Sequence, residues 1–342
     1  MASLVVQTSF LGDVVLTTPL IAELAQRGPV DVLTTPEGSS ILRNNPDVRK
    51  LIVYDRRKCD SGIAGFARTV RTIRAIDDCD TAYLAQGSWR SALLVTTSGI
   101  PRRVGFNTSE GRRLYTECIE YRADRHHSER LWWLGAAAST EPTGREQITP
   151  RLYPSLADEQ AVEIALRESL YDSARPFVVL APGSAWGTKR WPFYPELAVK
   201  AVEQWNVVVV GGPNEVETGN TIVAQLPEGR GVNMAGKLGI LASAALIGRA
   251  AALVSNDSAP QHLASAMNTP TICIFGPTVP EFGFGPLARS SVIAGHDSLA
   301  CRPCDRHGPQ RCPLGHWRCM REVSSTEVYN LLTRTLSYRA TA

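Results

Sequence analysis

Val254-Ser255-Asn256-Asp257-Ser258-Ala259-Pro260-Gln261-His262-Leu263-Ala264 is the stretch that decides the fold. The apolar run 251–254 reads as a buried parallel strand, and it stops at Asn256-Asp257-Ser258, residues that favour a helix N-cap. Leu263, Ala264 and Met267 then recur at helical spacing. A strand that feeds a helix in this way presents free N–H groups and the positive end of a helix, which suits a phosphate. His262 follows Ser258 by one turn, so both can face one anion. Thr271-Ile272-Cys273-Ile274-Phe275 is the next strand, closed by Gly276-Pro277-Thr278. Two strand ends beside a helix start form the ligand crevice of an open α/β sheet. The structural alternative is an ordinary capped helix carrying a surface histidine.

The same alternation extends in both directions. Strands are expected over 4–6, 30–33, 51–54, 81–84 and 103–106, with helices over 13–26, 38–44, 63–76 and 88–97. Pro19 falls inside the first helix, where it removes a hydrogen bond and kinks the axis. Residues 141–153 have no clear period and contain Pro142, Gly144 and Pro150, which marks a linker. Beyond it, helices over 157–170, 194–204, 216–225 and 238–248 alternate with strands over 177–180 and 207–210. A last helix over 324–336 opens with Ser324 and Glu327 at capping-box spacing. Strand–helix alternation implies parallel sheets covered on both faces. The expected organisation is two doubly wound Rossmann-like domains, 1–155 and 156–323, facing a cleft, followed by a C-terminal helix and tail, 324–342.

The chain has 342 residues, 44% hydrophobic and 20% charged, with a formal net charge of +3. This is the composition of a globular protein, and the small net charge leaves partner choice to local clusters. No apolar run reaches the length of a membrane span. The apolar N-terminus lacks a basic leader region, so it reads as a first strand and implies a cytoplasmic protein.

Several constellations can carry chemistry. Gly12-Asp13 lies at the mouth of the first helix, where a carboxylate can take a proton from a hydroxyl or simply cap the helix. In Pro182-Gly183-Ser184-Ala185-Trp186-Gly187-Thr188-Lys189-Arg190-Trp191-Pro192, the glycines allow close backbone approach, while Ser184, Thr188 and Lys189 can contact phosphate oxygens. Gly211-Gly212 makes a tight turn before Glu215, which can bind ribose hydroxyls or favour a helix start. Arg56-Arg57-Lys58, Arg68/Arg71/Arg74, Arg102-Arg103 and Arg112-Arg113 are basic clusters suited to an anionic acceptor, an anionic membrane surface or plain solvation. The lack of interleaved aromatics argues against nucleic acid. Cys301, Cys304, Cys312 and Cys319, with His307 and His316 between them, resemble a structural zinc set. Their spacing departs from the common paired-knuckle pattern, reduced thiols packing a loop are the alternative, and no metal is assigned.

Taken together, Ser9-Phe10-Leu11-Gly12-Asp13, Pro182-Gly183-Ser184 with Lys189-Arg190-Trp191-Pro192, Gly211-Gly212 with Glu215, Asn256-Asp257-Ser258 with His262, and Phe275-Gly276-Pro277-Thr278 resemble the bacterial ADP-heptose:lipopolysaccharide heptosyltransferases of the GT-B fold. The similarity covers nearly the whole chain, and the tail from Cys301 to Met320 is similar to the second-heptose branch of that family. The resemblance implies that Asp13 is the general base and that Lys189 lies near the donor diphosphate. It implies Glu215 near the adenosine ribose, Asp257 as the acid of the donor loop, and Ser258, the Ala259 backbone and His262 at the diphosphate-binding helix start, with Ser184 beside them. It also implies ADP-heptose as donor, with no cofactor required. The acceptor would be Kdo2-lipid A carrying a heptose, held by the basic first domain (Arg56, Arg57, Lys58, Arg112 and Arg113), with peripheral contact at the inner face of the inner membrane. A first- or later-heptose transferase and a nucleotide-sugar epimerase of similar shape are the alternatives.

Overall fold

The computed structural model describes residues 1–136, 140–170, 172 and 174–337. The chain divides into two compact units, Met1–Tyr153 and Pro154–Ala342. The C-terminal helix belongs to the second unit, and residues 338–342 of the expected tail lie outside the described residues.

The first unit contains β1 (Ala2–Gln7), α1 (Leu11–Leu16), α2 (Thr18–Ala25), β2 (Val30–Thr34), α3 (Pro36–Leu42), β3 (Val48–Val53), α4 (Gly62–Arg74), β4 (Cys79–Leu84), α5 (Trp89–Ser98), β5 (Arg102–Phe106), β6 (Glu117–Ile119), α6 (His127–Gly135) and α7 (Arg145–Ile148). Its strands form one parallel sheet in the order β3-β2-β1-β4-β5-β6. Sequence order reverses between β1 and β4, so the loops after these two strands flank a topological switch point, where open α/β sheets bind ligands. The expected helix over 13–26 is a correction: it is two helices, broken at Thr17. The break puts Pro19 in the first turn of α2, where a proline has no intrahelical N–H to lose.

The second unit contains α8 (Leu156–Ser169), β7 (Phe177–Ala181), α9 (Tyr194–Ala201), β8 (Asn206–Val209), α10 (Val216–Val223), β9 (Gly231–Asn233), α11 (Ile240–Arg249), β10 (Ala252–Asn256), α12 (Ala259–Met267), β11 (Thr271–Phe275), β12 (Ser291–Gly295), α13 (Arg318–Arg321) and α14 (Ser325–Ser337). The sheet is again parallel, in the order β12-β11-β10-β7-β8-β9, with its switch point between β7 and β10. Ser255 pairs with Ala181 on one side and Cys273 on the other, which aligns the ends of β7, β10 and β11. Every residue of these three strands is buried, as a sheet covered on both faces requires. Val178, Leu180, Val254, Ile272 and Ile274 pack one face against Leu197 and Ala198 of α9 and Val328 and Leu332 of α14. Ser324 accepts the Glu327 N–H at 3.2 Å, so the cap at the start of α14 forms.

Candidate functional site

In the second unit the site grows from the ends of β7, β10 and β11. Asn256, fully buried, donates through Nδ2 to the Pro182 carbonyl at 2.8 Å and accepts the Trp191 N–H at 3.2 Å. One side chain thus ties the loop after β7 to the end of β10. Asp257 follows it, and its carboxylate is fully engaged. Oδ2 accepts from Lys189 Nζ at 2.6 Å and from the Thr278 hydroxyl at 2.7 Å, while Oδ1 accepts from Gln261 Nε2 at 2.8 Å. The Cys273 thiol donates in turn to Gln261 Oε1 at 3.1 Å. Lys189 and Asp257 are each 8% exposed, so this ion pair is screened little by solvent. Asp257 is therefore the group that holds the ammonium in place. Its hydrogen-bond partners Thr278 and Gln261 carried no signal apart from the strand ending at 276–278.

Ser258 is the N-cap of α12, but its side chain makes no capping hydrogen bond. Its hydroxyl lies 3.5 Å from that of Ser255. The first turn of any helix has N–H groups without intrahelical acceptors, and here Pro260 carries none. His262 is buried, and burial drives its pKa down to about 4; Lys189 pushes the same way and Asp257 opposes. The ring is neutral at pH 7, and its Nδ1 is buried without a hydrogen-bond partner among the described residues. It is not the surface histidine of the structural alternative.

Glu215 lies at the start of α10, and its Oε2 accepts the Gly212 N–H at 2.9 Å. A methyl group at position 183 would meet Glu215 Cγ at 2.7 Å, so Gly183 is what allows the loops after β7 and β8 to touch. Ser184 is buried and accepts the Trp186 N–H at 3.2 Å. Thr188, expected to contact phosphate, donates its hydroxyl to the Pro309 carbonyl instead, a correction that places it in the brace beneath the loop.

That brace is the cysteine-rich segment. Gln310 accepts the Gly187 N–H through Oε1 at 3.0 Å and donates through Nε2 to the Ala185 carbonyl at 2.9 Å. His307 stacks on Trp186 with ring centroids 5.9 Å apart. Cys301, Cys304, Cys312 and Cys319 are free thiols, and among the described residues no three His, Cys, Asp or Glu side chains are grouped to hold a metal. Cys304 donates to the Cys301 carbonyl at 3.4 Å, and burial pushes the Cys319 thiol up to about 11.

In the first unit, Asp13 lies in the first turn of α1, whose N-cap is Phe10, so Asp13 is not the cap. Its Oδ2 accepts the Ser9 hydroxyl at 2.6 Å. Around the switch point a cavity of about 400 Å³ is lined by Thr8, Ser9, Phe10, Arg56, Arg57 and Arg90 among others. Arg90 was not anticipated; its Nε donates to the Tyr54 hydroxyl at 2.8 Å. Lys58, Arg112 and Arg113 are exposed and do not line this cavity. Among the described residues none of Arg56, Arg57, Lys58, Arg112 or Arg113 is paired with a carboxylate. Arg68, by contrast, pairs with Asp60 at 3.2 Å, and Arg74 donates to the Thr97 carbonyl at 2.6 Å, so these two serve the fold.

Two doubly wound units, one with an anion-ready helix start beside a buried lysine and the other with a carboxylate bonded to Ser9, which lines a cavity together with Arg56 and Arg57, have the architecture of the GT-B glycosyltransferases. The model of glycosyltransferase family 9 (heptosyltransferase) matches residues 68–315, and the chain belongs to this family. It is 28% identical over 305 residues to lipopolysaccharide heptosyltransferase 2 of Escherichia coli strain K12, covering 82% of this chain and 84% of the relative. The structure of E. coli ADP-heptose lps heptosyltransferase II is similar with a TM-score of 0.80 at 25% identity, over 99% of this chain and 100% of that one. A family 9 glycosyltransferase from Veillonella parvula is similar in fold, with a TM-score of 0.84 at 21% identity, covering 98% and 97%. Among the described residues no helix is long and apolar enough to cross a membrane.

Proposed function

We propose that this protein transfers a heptose from ADP-L-glycero-D-manno-heptose to the lipopolysaccharide inner core, adding the second heptose to heptosyl-Kdo2-lipid A with inversion at the anomeric carbon. The observation that carries this reading is the α12 start, with an uncapped helix end, a neutral buried His262 and Lys189 fixed by Asp257. The relatives' names support the sugar and the position.

In this reading the donor diphosphate meets the Ser258 hydroxyl, the Ala259 N–H and His262, with Ser184 beside it and Glu215 toward the ribose. Asp13 takes the proton of the acceptor hydroxyl. The acceptor oxygen forms a bond to the anomeric carbon, the bond from that carbon to the diphosphate breaks, and the electron pair departs with ADP. The positive end of α12 and the Lys189 ammonium stabilise the charge on the leaving group in a preorganised way. Those two sources suit a transfer that requires no cofactor. Arg56 and Arg57, with Lys58, Arg112 and Arg113, are available to the phosphates and Kdo carboxylates of the acceptor. Because that acceptor is a lipid, the protein would work peripherally at the inner face of the inner membrane.

The test is transfer by the purified protein from ADP-heptose to Kdo2-lipid A carrying no heptose or one, read by product mass, with Asp13→Ala alongside. Heptose added only to the mono-heptosylated acceptor, and lost in Asp13→Ala, is the expected result. Addition to the heptose-free acceptor would move the protein to the first-heptose branch.

A further inference from the structure

Ser9 stands where one proton meets two acceptors. Its Oγ lies 2.6 Å from Asp13 Oδ2 and 2.8 Å from Gln7 Oε1, and a serine hydroxyl has a single proton to donate. The orientation of the Gln7 amide follows from its other end. The Thr17 hydroxyl donates to the Asp13 backbone carbonyl at 2.7 Å, so toward Gln7 it can only accept. The group facing it at 3.0 Å is therefore the Gln7 NH2, and the amide oxygen faces Ser9. Gln7 is 1% exposed at the end of β1, so the amide is held by the core and does not compete with water for its partners. It also accepts the Ser9 N–H at 3.3 Å.

Two arrangements of one proton follow. While Asp13 is a carboxylate, the charged acceptor takes the Ser9 proton, because hydrogen bonds to an ionised group are the stronger ones. Once Asp13 has accepted the proton of the acceptor hydroxyl it is a weaker acceptor, and the Ser9 proton can turn to Gln7 Oε1 without any heavy atom moving. We propose that Ser9 is the positioning residue of the catalytic base. It fixes the rotation of the Asp13 carboxylate before transfer, and with Gln7 it accommodates the neutral carboxyl afterwards. The proposal rests on the reading of Asp13 as the base.

The experiment measures kcat and KM for transfer from ADP-heptose to heptosyl-Kdo2-lipid A, with thermal melts, in full-length wild type, Ser9→Ala, Ser9→Thr and Asp13→Asn. Ser9→Ala is expected to lower kcat about tenfold, less than the roughly 10²–10⁴-fold that a general base itself contributes because Asp13 remains in place, with KM for ADP-heptose and the melting temperature unchanged. Ser9→Thr keeps the hydroxyl and is expected to restore kcat to within about threefold of wild type on the same argument. In the double variant Ser9→Ala/Asp13→Asn, assayed against the residual rate of Asp13→Asn, the Ser9 change is expected to cost nothing further, because Ser9 acts through that carboxylate. If Ser9→Ala melts well below wild type, Ser9→Cys, with a similar side chain and a weak donor, carries the same test. A Ser9→Ala kcat within about twofold of wild type, or equal losses in the Ala and Thr variants, would overturn the proposal while leaving Asp13 as base if Asp13→Asn is inactive. An Asp13→Asn enzyme that keeps its rate removes the base and the role of Ser9 together. A wild-type protein that transfers no heptose refutes the functional reading and this proposal with it.

Discussion

Burial holds the His262 imidazole neutral, its pKa down to about 4 from an ordinary 6.5. In the unfolded chain the same ring protonates near 6.5, so between pH 6.5 and 4 the unfolded state binds more protons. Stability is therefore present in full above pH 6.5 and falls as pH drops toward 4. Thermal melts of the wild type should show that decline, and His262→Gln should flatten it in this window. A variant with the same pH slope as wild type would place the titration elsewhere. Asp257 makes the second residue-scale prediction. Asp257→Ala leaves the Lys189 ammonium buried and unpaired, and loss of one partner from a buried pair costs about 3–5 kcal/mol. Lys189→Met leaves an Asp257 carboxylate that keeps the Thr278 and Gln261 donors, so urea unfolding should find a smaller loss. The sequence could place Asp257 beside a helix start, yet nothing local in it reveals a lysine 68 residues away as its partner.

Loops are where Gly183 and Gly187 differ, although in the sequence both read alike as glycines that allow close approach. A methyl at 183 meets the Glu215 side chain, which can swing aside, whereas a methyl at 187 meets the Gln310 backbone carbonyl, which cannot. Gly183→Ala should raise KM for ADP-heptose with little change in melting temperature. Gly187→Ala should lower the melting temperature as well, by loosening the brace under Lys189; equal melting in the two variants would show that the brace yields. At this scale the long buried strands and their helices were legible because a parallel sheet leaves continuous apolar runs. The short edge strands β6 and β9, three residues each, were not. β12 also escaped notice, with a partly exposed pattern that lacks such a run. The helix α6 was missed as well: Arg130 is 2% exposed, satisfied by the Tyr121 hydroxyl and the Arg122 carbonyl, so a charged residue occupies a core-facing helical position. The break at Thr17 was half legible, since Pro19 signalled a fault in the axis but not that a second helix starts there.

Across the whole molecule the charge that matters is distributed unevenly. The net charge is only +3, so long-range attraction by the chain as a whole is weak. The buried cation of the second unit, Lys189, is 8% exposed and bonded to Asp257, while Arg56, Arg57, Lys58, Arg112 and Arg113 are exposed. Salt screens exposed charges over about 8 Å at physiological ionic strength and buried ones much less. Raising sodium chloride should therefore raise KM for the lipid acceptor steeply and KM for ADP-heptose only slightly, with kcat nearly constant. Arg56→Ala with Arg57→Ala should reduce the salt dependence of the acceptor KM, because both arginines line the cavity beside Ser9. Adding EDTA at fixed ionic strength should leave the rate unchanged if α12 and Lys189 carry the leaving group's charge. An equal salt response of both KM values would mean that the donor site is electrostatically open, and that the ion pair beneath α12 does not act as the buried geometry requires.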